Sequence, residues 1–451
     1  MLTMDDLAAW LARGAKPAQA WRIGTEHEKI GFDARSAQPL AYAGARGVRA
    51  LLRLLLADGG TPITEQGRII GIARNHASVT LEPGGQLELS GAPLASIFET
   101  WHETRTHLSL LARASRALDV GFLSIGFAPT WPRTAIPWMP KQRYRIMRRY
   151  MPRVGGQGLD MMLRTATVQA NLDFSDERDM ARKMRIGACL QPLVTALFAA
   201  SPFAEGRPSG WLSRRAACWL DTDPDRTGIP ACIFKPDFGF EDYVQWALDV
   251  PMYFVIRDGR YIDCAGQSFR AFMAGKLPQL PGETPTLDDW ALHLSTLFPD
   301  VRLKQYIEMR GADAGPWPWL CALPALWKGL LYEERARARA WDMIADWSHA
   351  EVMQLRALAP RLGFAAPFRD TNVHALCMRM LEIARDGLAA LRITNARGDD
   401  ESVFLAPLIE AVEARQTQAE RWLHAWRHEW GQDLTPLFRA ATEPLVLPEL
   451  P

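Results

Sequence analysis

Residues 23–32 read Ile23-Gly24-Thr25-Glu26-His27-Glu28-Lys29-Ile30-Gly31-Phe32. The apolar ends and short length mark a strand, extended here to Trp21–Phe32, on which side chains two apart point to one face. Glu26 and Glu28 therefore stand together. Two like charges on one sheet face repel and lose hydration, a cost that a cation between them removes. Oxygen ligands of this kind suit a hard divalent ion such as Mg²⁺. A solvated sheet face is the other reading of the same pair.

The pattern recurs along the chain. Glu82 and Glu88 flank a Pro-Gly-Gly turn at 83–85, and Glu88 shares its face with Gln86. Residues 165–174 set Gln169, Asn171 and Asp173 on one face against Val168, Ala170 and Leu172 on the other, as a half-exposed strand also does. In Tyr306-Ile307-Glu308-Met309-Arg310 an acid that suits a metal and a fixed cation that suits phosphate share a face. Together these runs describe a sheet lined with acids, amides and arginine, suited to a metal-nucleotide and a small polar substrate.

Composition narrows the class. The chain has 451 residues, 48% of them hydrophobic, which excludes disorder, and its 52 Lys and Arg against 51 Asp and Glu argue against a polyanion binder. The basic run Lys141, Arg143, Arg145, Arg148, Arg149 and Arg153 reads as a solvated helix face with one or two arginines turned toward nucleotide phosphates. Residues 213–228 alternate acids and arginines in a loop-like segment, either an exposed loop or an anchor for an amino acid. No P-loop, dinucleotide fingerprint, HExxH or GxSxG motif is present, so metal handling by carboxylates would replace backbone cradling of phosphate. The six cysteines, at 189, 218, 232, 264, 321 and 377, form no CxxC pair. Ile186–Ala204 carries no charge over 19 residues, yet Gln191, Pro192, Thr195, Ser201 and Pro202 make it a buried helix rather than a membrane span. The acidic N-terminus, MLTMDDLAAWLARG, is unlike a signal peptide, and the expected location is the cytoplasm.

Strands are expected at 69–72, 78–81, 86–90, 122–127, 165–174, 252–256, 261–264 and 303–310, and helices at 93–118 and 179–199. Beyond about Trp327 the chain reads as helices at 327–347, 349–358, 372–391, 402–412 and 417–430. Strands interspersed with helices, then a helical tail, indicate an α+β fold with a mainly antiparallel sheet. No clean boundary divides it: one catalytic domain over 1–451 is expected, with 327–451 as its mainly helical part.

These segments resemble plant-type glutamate–cysteine ligase. The resemblance rests on Ile23–Lys29, Leu81–Leu94, Gly158–Thr165, Asp221–Gly228, Ala247–Tyr253, Phe272–Pro278, Met309–Asp313 and Glu429–Gly431, in order along nearly the whole chain. It implies a glutamine synthetase-like catalytic domain, a curved, mainly antiparallel sheet forming a funnel surrounded by helices. It also implies a reaction in which ATP phosphorylates the γ-carboxylate of L-glutamate and the amine of L-cysteine displaces phosphate. Carried over by motif, Glu26, Glu28, Glu82, Glu88 and Glu308 are the expected Mg²⁺ ligands, and Arg310 is the catalytic cation for the transferring phosphoryl group. Gln169 and Asn171 are expected near them as substrate-binding residues, with Arg164, Thr165, Arg215 and Arg226 gripping amino-acid carboxylates. The plant enzymes carry two redox-active disulfides. Here Cys264 and Cys321 match one partner of each, while Gln279 and Trp101 occupy the other positions, so no thiol switch is expected. Glutamate, cysteine and ATP are the expected partners of a monomer or homodimer, without nucleic acid or membrane. A γ-glutamyl ligase for another amine and a guanidino-kinase-like phosphotransferase are the alternatives.

Overall fold

The structure, a computed structural model, describes residues 2–442. Nine strands build the main sheet: β1 Ile23–Asp33, β2 Thr61–Glu65, β3 Arg68–Arg74, β4 Ala77–Leu81, β5 Leu87–Ser90, β6 Val120–Leu123, β7 Thr167–Leu172, β8 Val301–Leu303 and β9 Ile307–Asp313. Their order is β8-β9-β7-β1-β5-β4-β3-β2, with β6 added to the far half of β1, and all of these pairings are antiparallel. The first half of β1 lies between β5 and β7, and its second half pairs with β6.

Alternation divides the sheet into two chemistries. Residues directly opposite in an antiparallel pair share a face. The pairings Glu28↔Glu88, Glu26↔Gln169, Asn171↔Glu308 and Arg302↔Glu308 therefore run one polar stripe across five strands. The back face presents Leu87, Leu89, Val168, Ala170, Leu172, Ile307 and Met309, all buried. Helices Ile97–Leu118, Glu177–Leu197 and Trp317–Leu331 pack against it. Burying a large aliphatic side chain contributes about 1.5–3 kcal/mol, so this back layer fixes which face remains for chemistry.

Several expected boundaries move, each for a local reason. The helix placed at 93–118 starts at Ile97, because the Ser96 hydroxyl accepts the Glu99 N–H and Leu94 is bridged to Ile23 through both backbone groups. The segment 303–310 is a hairpin and not one strand: β8 ends at Leu303 and β9 starts at Ile307, with the Lys304 N–H donating to the Tyr306 carbonyl between them. Strand 122–127 stops at Leu123, after its pairing with β1. The helix at 327–347 is two helices, Trp317–Leu331 and Glu334–Ile344, divided where the Glu333 carboxylate caps the Ala336 N–H. Strand β2 was not expected: it lies at the sheet edge, its pattern does not alternate, and Pro62 is tolerated only because that edge is open. Residues 186–197 form the buried half of helix Glu177–Leu197, and no helix among the described residues is long and apolar enough to cross a membrane. The remaining C-terminal α-helices among the described residues are Ser348-capped His349–Leu362, then Val373–Leu391, Ala406–Glu413, Gln418–His428 and Thr435–Ala440; residues 443–451 of the expected helical part lie outside the described residues.

Candidate active site

The polar stripe forms the floor of a cavity of about 510 Å³. Five carboxylates line it, Glu26, Glu28, Glu82, Glu88 and Glu308, with six cations, Lys141, Arg143, Arg215, Arg302, Lys304 and Arg310. The signs are partly segregated, with Lys141 beside Glu82 and Glu88 and Glu308 among the cations of the opposite wall. Four acids come from β1, β5 and the β4–β5 turn, whereas the hairpin of β8 and β9 brings Arg302, Lys304 and Arg310 to one wall.

Backbone geometry places the acids. Glu26 and Glu28 are held by the pairing of β1 with both neighbours, and Glu82 by the tight turn in which the Gly85 N–H donates to the Glu82 carbonyl at 2.9 Å. Gly85 has φ +85°, and a Cβ at Gly84 would stand 2.2 Å from the Leu163 carbonyl oxygen, so both positions require glycine. Gln86 ties this turn to the next wall by donating to the Thr165 carbonyl at 2.8 Å.

The hydrogen bonds within the stripe are few for so many charges. Asn171 Nδ2 donates to Glu26 at 2.9 Å, the Thr167 N–H donates to Glu28 at 3.2 Å, and the Thr80 and Ser90 hydroxyls donate to Glu88 at 3.2 and 3.1 Å. Burial, then Glu308 and Glu88, pushes the Glu26 carboxyl up to about 7, and burial with Glu82 does the same to Glu88. Burial, Glu82 and Glu88 push Glu28 well above the usual carboxylate range. Glu308 differs: burial raises it, but Arg302, Lys304 and Arg310 outweigh burial and hold it well below that range. Lys304 Nζ lies 2.8 Å from it, Arg302 Nε donates to it, and Arg310 stands at 3.7 Å. Arg310 also donates to Gln169 Oε1 at 2.7 Å; burial and Arg302 lower its guanidinium to about 10, which leaves it charged at neutral pH. The stripe is thus an anionic centre short of cations beside a cationic wall, the arrangement that accepts a metal-bound polyphosphate.

The sequence matches the profile of glutamate-cysteine ligase family 2 over residues 22–440. It is 51% identical over 439 residues to the chloroplastic glutamate–cysteine ligase of Brassica juncea, covering 97% of this chain and 84% of that one. The chain belongs to the glutamate–cysteine ligase family.

The Arabidopsis thaliana chloroplastic ligase is 50% identical over 97% of this chain and 82% of its own length. In structure the ligase resembles the crystallised glutamate–cysteine ligase of Francisella tularensis in complex with AMP, with a TM-score of 0.52 over 91% of this chain and 85% of that one. At 12% identity that likeness shows the fold, and it is the curved-sheet fold the resemblance implied. The plant relatives are named chloroplastic, which overturns the cytoplasmic expectation. That expectation had rested on the acidic character of the first fourteen residues, and where a chain begins carries no such information.

Of the expected site residues of the ligase, Glu26, Glu28, Glu82, Glu88, Glu308, Gln169, Thr165, Arg215 and Arg310 line the cavity. Asn171 supports it from below through Glu26. The Thr165 hydroxyl donates to the Met161 carbonyl at 2.6 Å. Segment 213–228 is not a plain loop: Ser213 caps helix Arg214–Trp219, whose Arg215 faces the cavity and donates to the Arg310 carbonyl at 2.9 Å.

Two expected substrate-gripping arginines are elsewhere. Arg164 pairs with Asp160 at 2.7 Å and Glu205 at 2.9 Å and lies over the Phe127 ring. Arg226, fully buried, pairs with Asp223 at 2.6 Å, donates to the Pro251 and Thr296 carbonyls, and covers the Tyr253 ring at 3.8 Å. Both guanidinium groups are already paired inside the protein, whereas Arg215, from the same alternating segment as Arg226, faces the cavity. Removing one member of a buried pair costs about 3–5 kcal/mol. Arg226→Gln is therefore expected to lower the melting temperature clearly while the KM for glutamate of the folded fraction stays within about twofold; a large rise in KM at unchanged stability would return Arg226 to the substrate. Lys141, Arg143 and Tyr144 of the basic run line the cavity, and Arg302, Lys304 and the ring of Phe298 do so without having been singled out. The one available signal was the basic run, of which Arg143 and Lys141 face inward.

Proposed function

We propose that this cavity joins L-glutamate to L-cysteine at the expense of ATP through γ-glutamyl phosphate, with Mg²⁺ held by the carboxylates of β1, β5 and the β4–β5 turn. The observation that carries this reading is the stripe of half-buried acids, too close for their charges, facing Arg302, Lys304 and Arg310. Among the described residues no three His, Cys, Asp or Glu side chains make a metal site by themselves. Mg²⁺ commonly takes one or two carboxylates and completes its octahedron with phosphate oxygens and water, which is what separated acids over an open cavity provide. Glu26, Glu28, Glu82 and Glu88 fit that role. Glu308, already neutralised by three cations, serves better to fix the arginines than to bind metal in the ligand-free protein. When bound, the metal neutralises the charge of the transferring phosphoryl group.

In the first half-reaction a γ-carboxylate oxygen of glutamate bonds to the γ-phosphorus as the bond to the β–γ bridging oxygen breaks and ADP leaves. In the second, the cysteine amine bonds to the carbonyl carbon of the γ-glutamyl phosphate, phosphate leaves with the transferred oxygen, and one proton is released. Arg310 is placed to stabilise the charge on the moving phosphoryl group, oriented by Gln169 and Glu308. No side chain needs to act as a nucleophile. The test is ADP release from purified protein with ATP, Mg²⁺ and glutamate, adding cysteine, other amino acids, ammonia or buffer. Release only with cysteine supports the reading. Release with another amine moves the acceptor, and a phosphorylated product without an amine requirement indicates a phosphotransferase.

A pH signature follows from the same acids. Glu26 and Glu88 hold protons more tightly in the folded protein than in the unfolded chain, so their contribution to stability is full below about 4.5 and is lost as pH rises through about 7. Glu308 has the opposite sign and acts only as pH falls below the ordinary carboxylate range. Because buried His27, His107 and His293 titrate with the opposite sign over part of this range, the test is a difference: the melting temperature of a ligand-free Glu26→Gln/Glu88→Gln protein minus that of the wild type is expected to grow from about pH 5 to 7, and a difference that shrinks would contradict the arrangement.

A further inference from the structure

A second cavity, of about 270 Å³, lies behind the sheet. Its floor is the back of β3, β4 and β5, where the register sets Ile72 opposite Val79 and Val79 opposite Leu89. Helices Val48–Ala57 and Ile97–Leu118 wall it with Leu55 and Leu110. Two buried polar atoms of its lining have no partner, Arg74 Nε at the rim and His107 Nε2 within. His107 is 4% exposed, lines the cavity, and its Nε2 makes no hydrogen bond. Burial, then Lys29 and Arg74, lowers the imidazole to about 3, so the ring is neutral and offers one uncharged hydrogen-bonding atom. A buried polar atom left unsatisfied is unfavourable, and an occupant that hydrogen-bonded it would relieve that.

The charged groups at the rim are held in place, although Arg74 Nε stays unpartnered. Arg74 donates to the Leu55 and Gly59 carbonyls at 3.1 and 2.6 Å, and Glu103 accepts from the Ala92 N–H at 2.9 Å. They also balance one another in sign, so the cavity selects no net charge. Its volume sits just below the roughly 300–1,000 Å³ usual for small-molecule sites, enough for one or two fused rings.

We propose that this cavity is a second small-molecule site, taking an uncharged, mainly apolar ring compound whose single hydrogen-bonding group meets His107. The floor residues alternate with cavity residues on the other face: Val79 precedes Thr80, Leu89 follows Glu88, and the Thr80 hydroxyl donates to Glu88. An occupant pressing on Val79 and Leu89 therefore shifts the strand pair that carries Glu88, and ATP affinity changes with it. Binding stands independently of the proposed reaction, and the coupling rests on it.

The probes are indole and benzofuran, alike in shape, one offering a donor and the other an acceptor. With the full chain, one of the two is expected to raise the melting temperature at millimolar concentration, and His107→Phe to erase the difference between them. Leu110→Trp, which fills the cavity, is expected to abolish the shift while Mg²⁺ with ATP stabilises it as it does the wild type; if that variant fails to fold, Val79→Phe fills the space from the floor. No shift with either probe, as for a cavity that holds only water, or an undiminished shift in a filled and folded variant, overturns the site. The stabilising probe is further expected to change the KM for ATP at least twofold in the wild type only. An unchanged KM overturns the coupling and leaves the site to the melting data.

Discussion

The Glu28→Gln protein is expected to lose turnover by at least about a thousandfold, roughly 4 kcal/mol of transition-state stabilisation, while melting at the same temperature as the parent or higher. Glu28 stands opposite Glu88 and near Glu82, and burial and those two neighbours penalise its charge. Gln keeps the shape and removes the charge, which relieves repulsion in the ligand-free protein. The same change removes a ligand oxygen and one negative charge from the set proposed to hold Mg²⁺. Activity and stability thus move in opposite directions, a combination that simple misfolding cannot produce. The measurement is a melt without ligand beside ADP release across a Mg²⁺ titration. Loss of stability in step with loss of activity would mean that Glu28 supports the fold instead.

Arg310→Ala is the second large effect, with kcat expected to fall by about 10³–10⁵, the range measured where an arginine neutralises a transferring phosphoryl group. Glu308 keeps Arg302 and Lys304 in this variant, so the wall survives the loss. Arg310→Lys restores charge, yet a lysine ammonium is a point charge without the planar fork that spans Gln169 and Glu308, so only a part of kcat returns. The KM for glutamate should change far less than kcat in both variants. A rise in KM with kcat intact would assign Arg310 to ground-state binding of a substrate instead.

The part of the site that lay open in the sequence is the part written with period two. Glu26 and Glu28, or Gln169 and Asn171, fall on one face of a strand whatever their partners are, and the structure adds only which neighbour each one meets. The cationic wall was far less visible. Arg302 becomes a partner of Glu308 only through the hairpin of β8 and β9, and Lys304 sits in a turn that the sequence reading had run through as strand. Arg164 and Arg226 failed in the reverse sense: they are arginines in family-like segments, but Asp160 and Asp223, four and three residues away along the chain, claim them. Local spacing names the charges; which of them are spoken for is decided by burial and by pairing, within a turn for Arg164 and Arg226 and across the hairpin for Arg302.

The two faces of β1 also bear on how faithfully the chain folds. Glu26 and Glu28 face the cavity, whereas His27 and Lys29, both fully buried, face the helices behind. A slip of one residue against β5 or β7 would drive two carboxylates into that helix-covered layer and put a histidine and a lysine where the acids belong. The first of these errors would bury two carboxylates away from their compensation, at a cost of several kcal/mol per ion. The strand thus acts as its own proofreader: a chain that pairs out of step there gains no stable alternative, so the acids proposed to hold the metal also restrict the ways in which the chain can assemble around them.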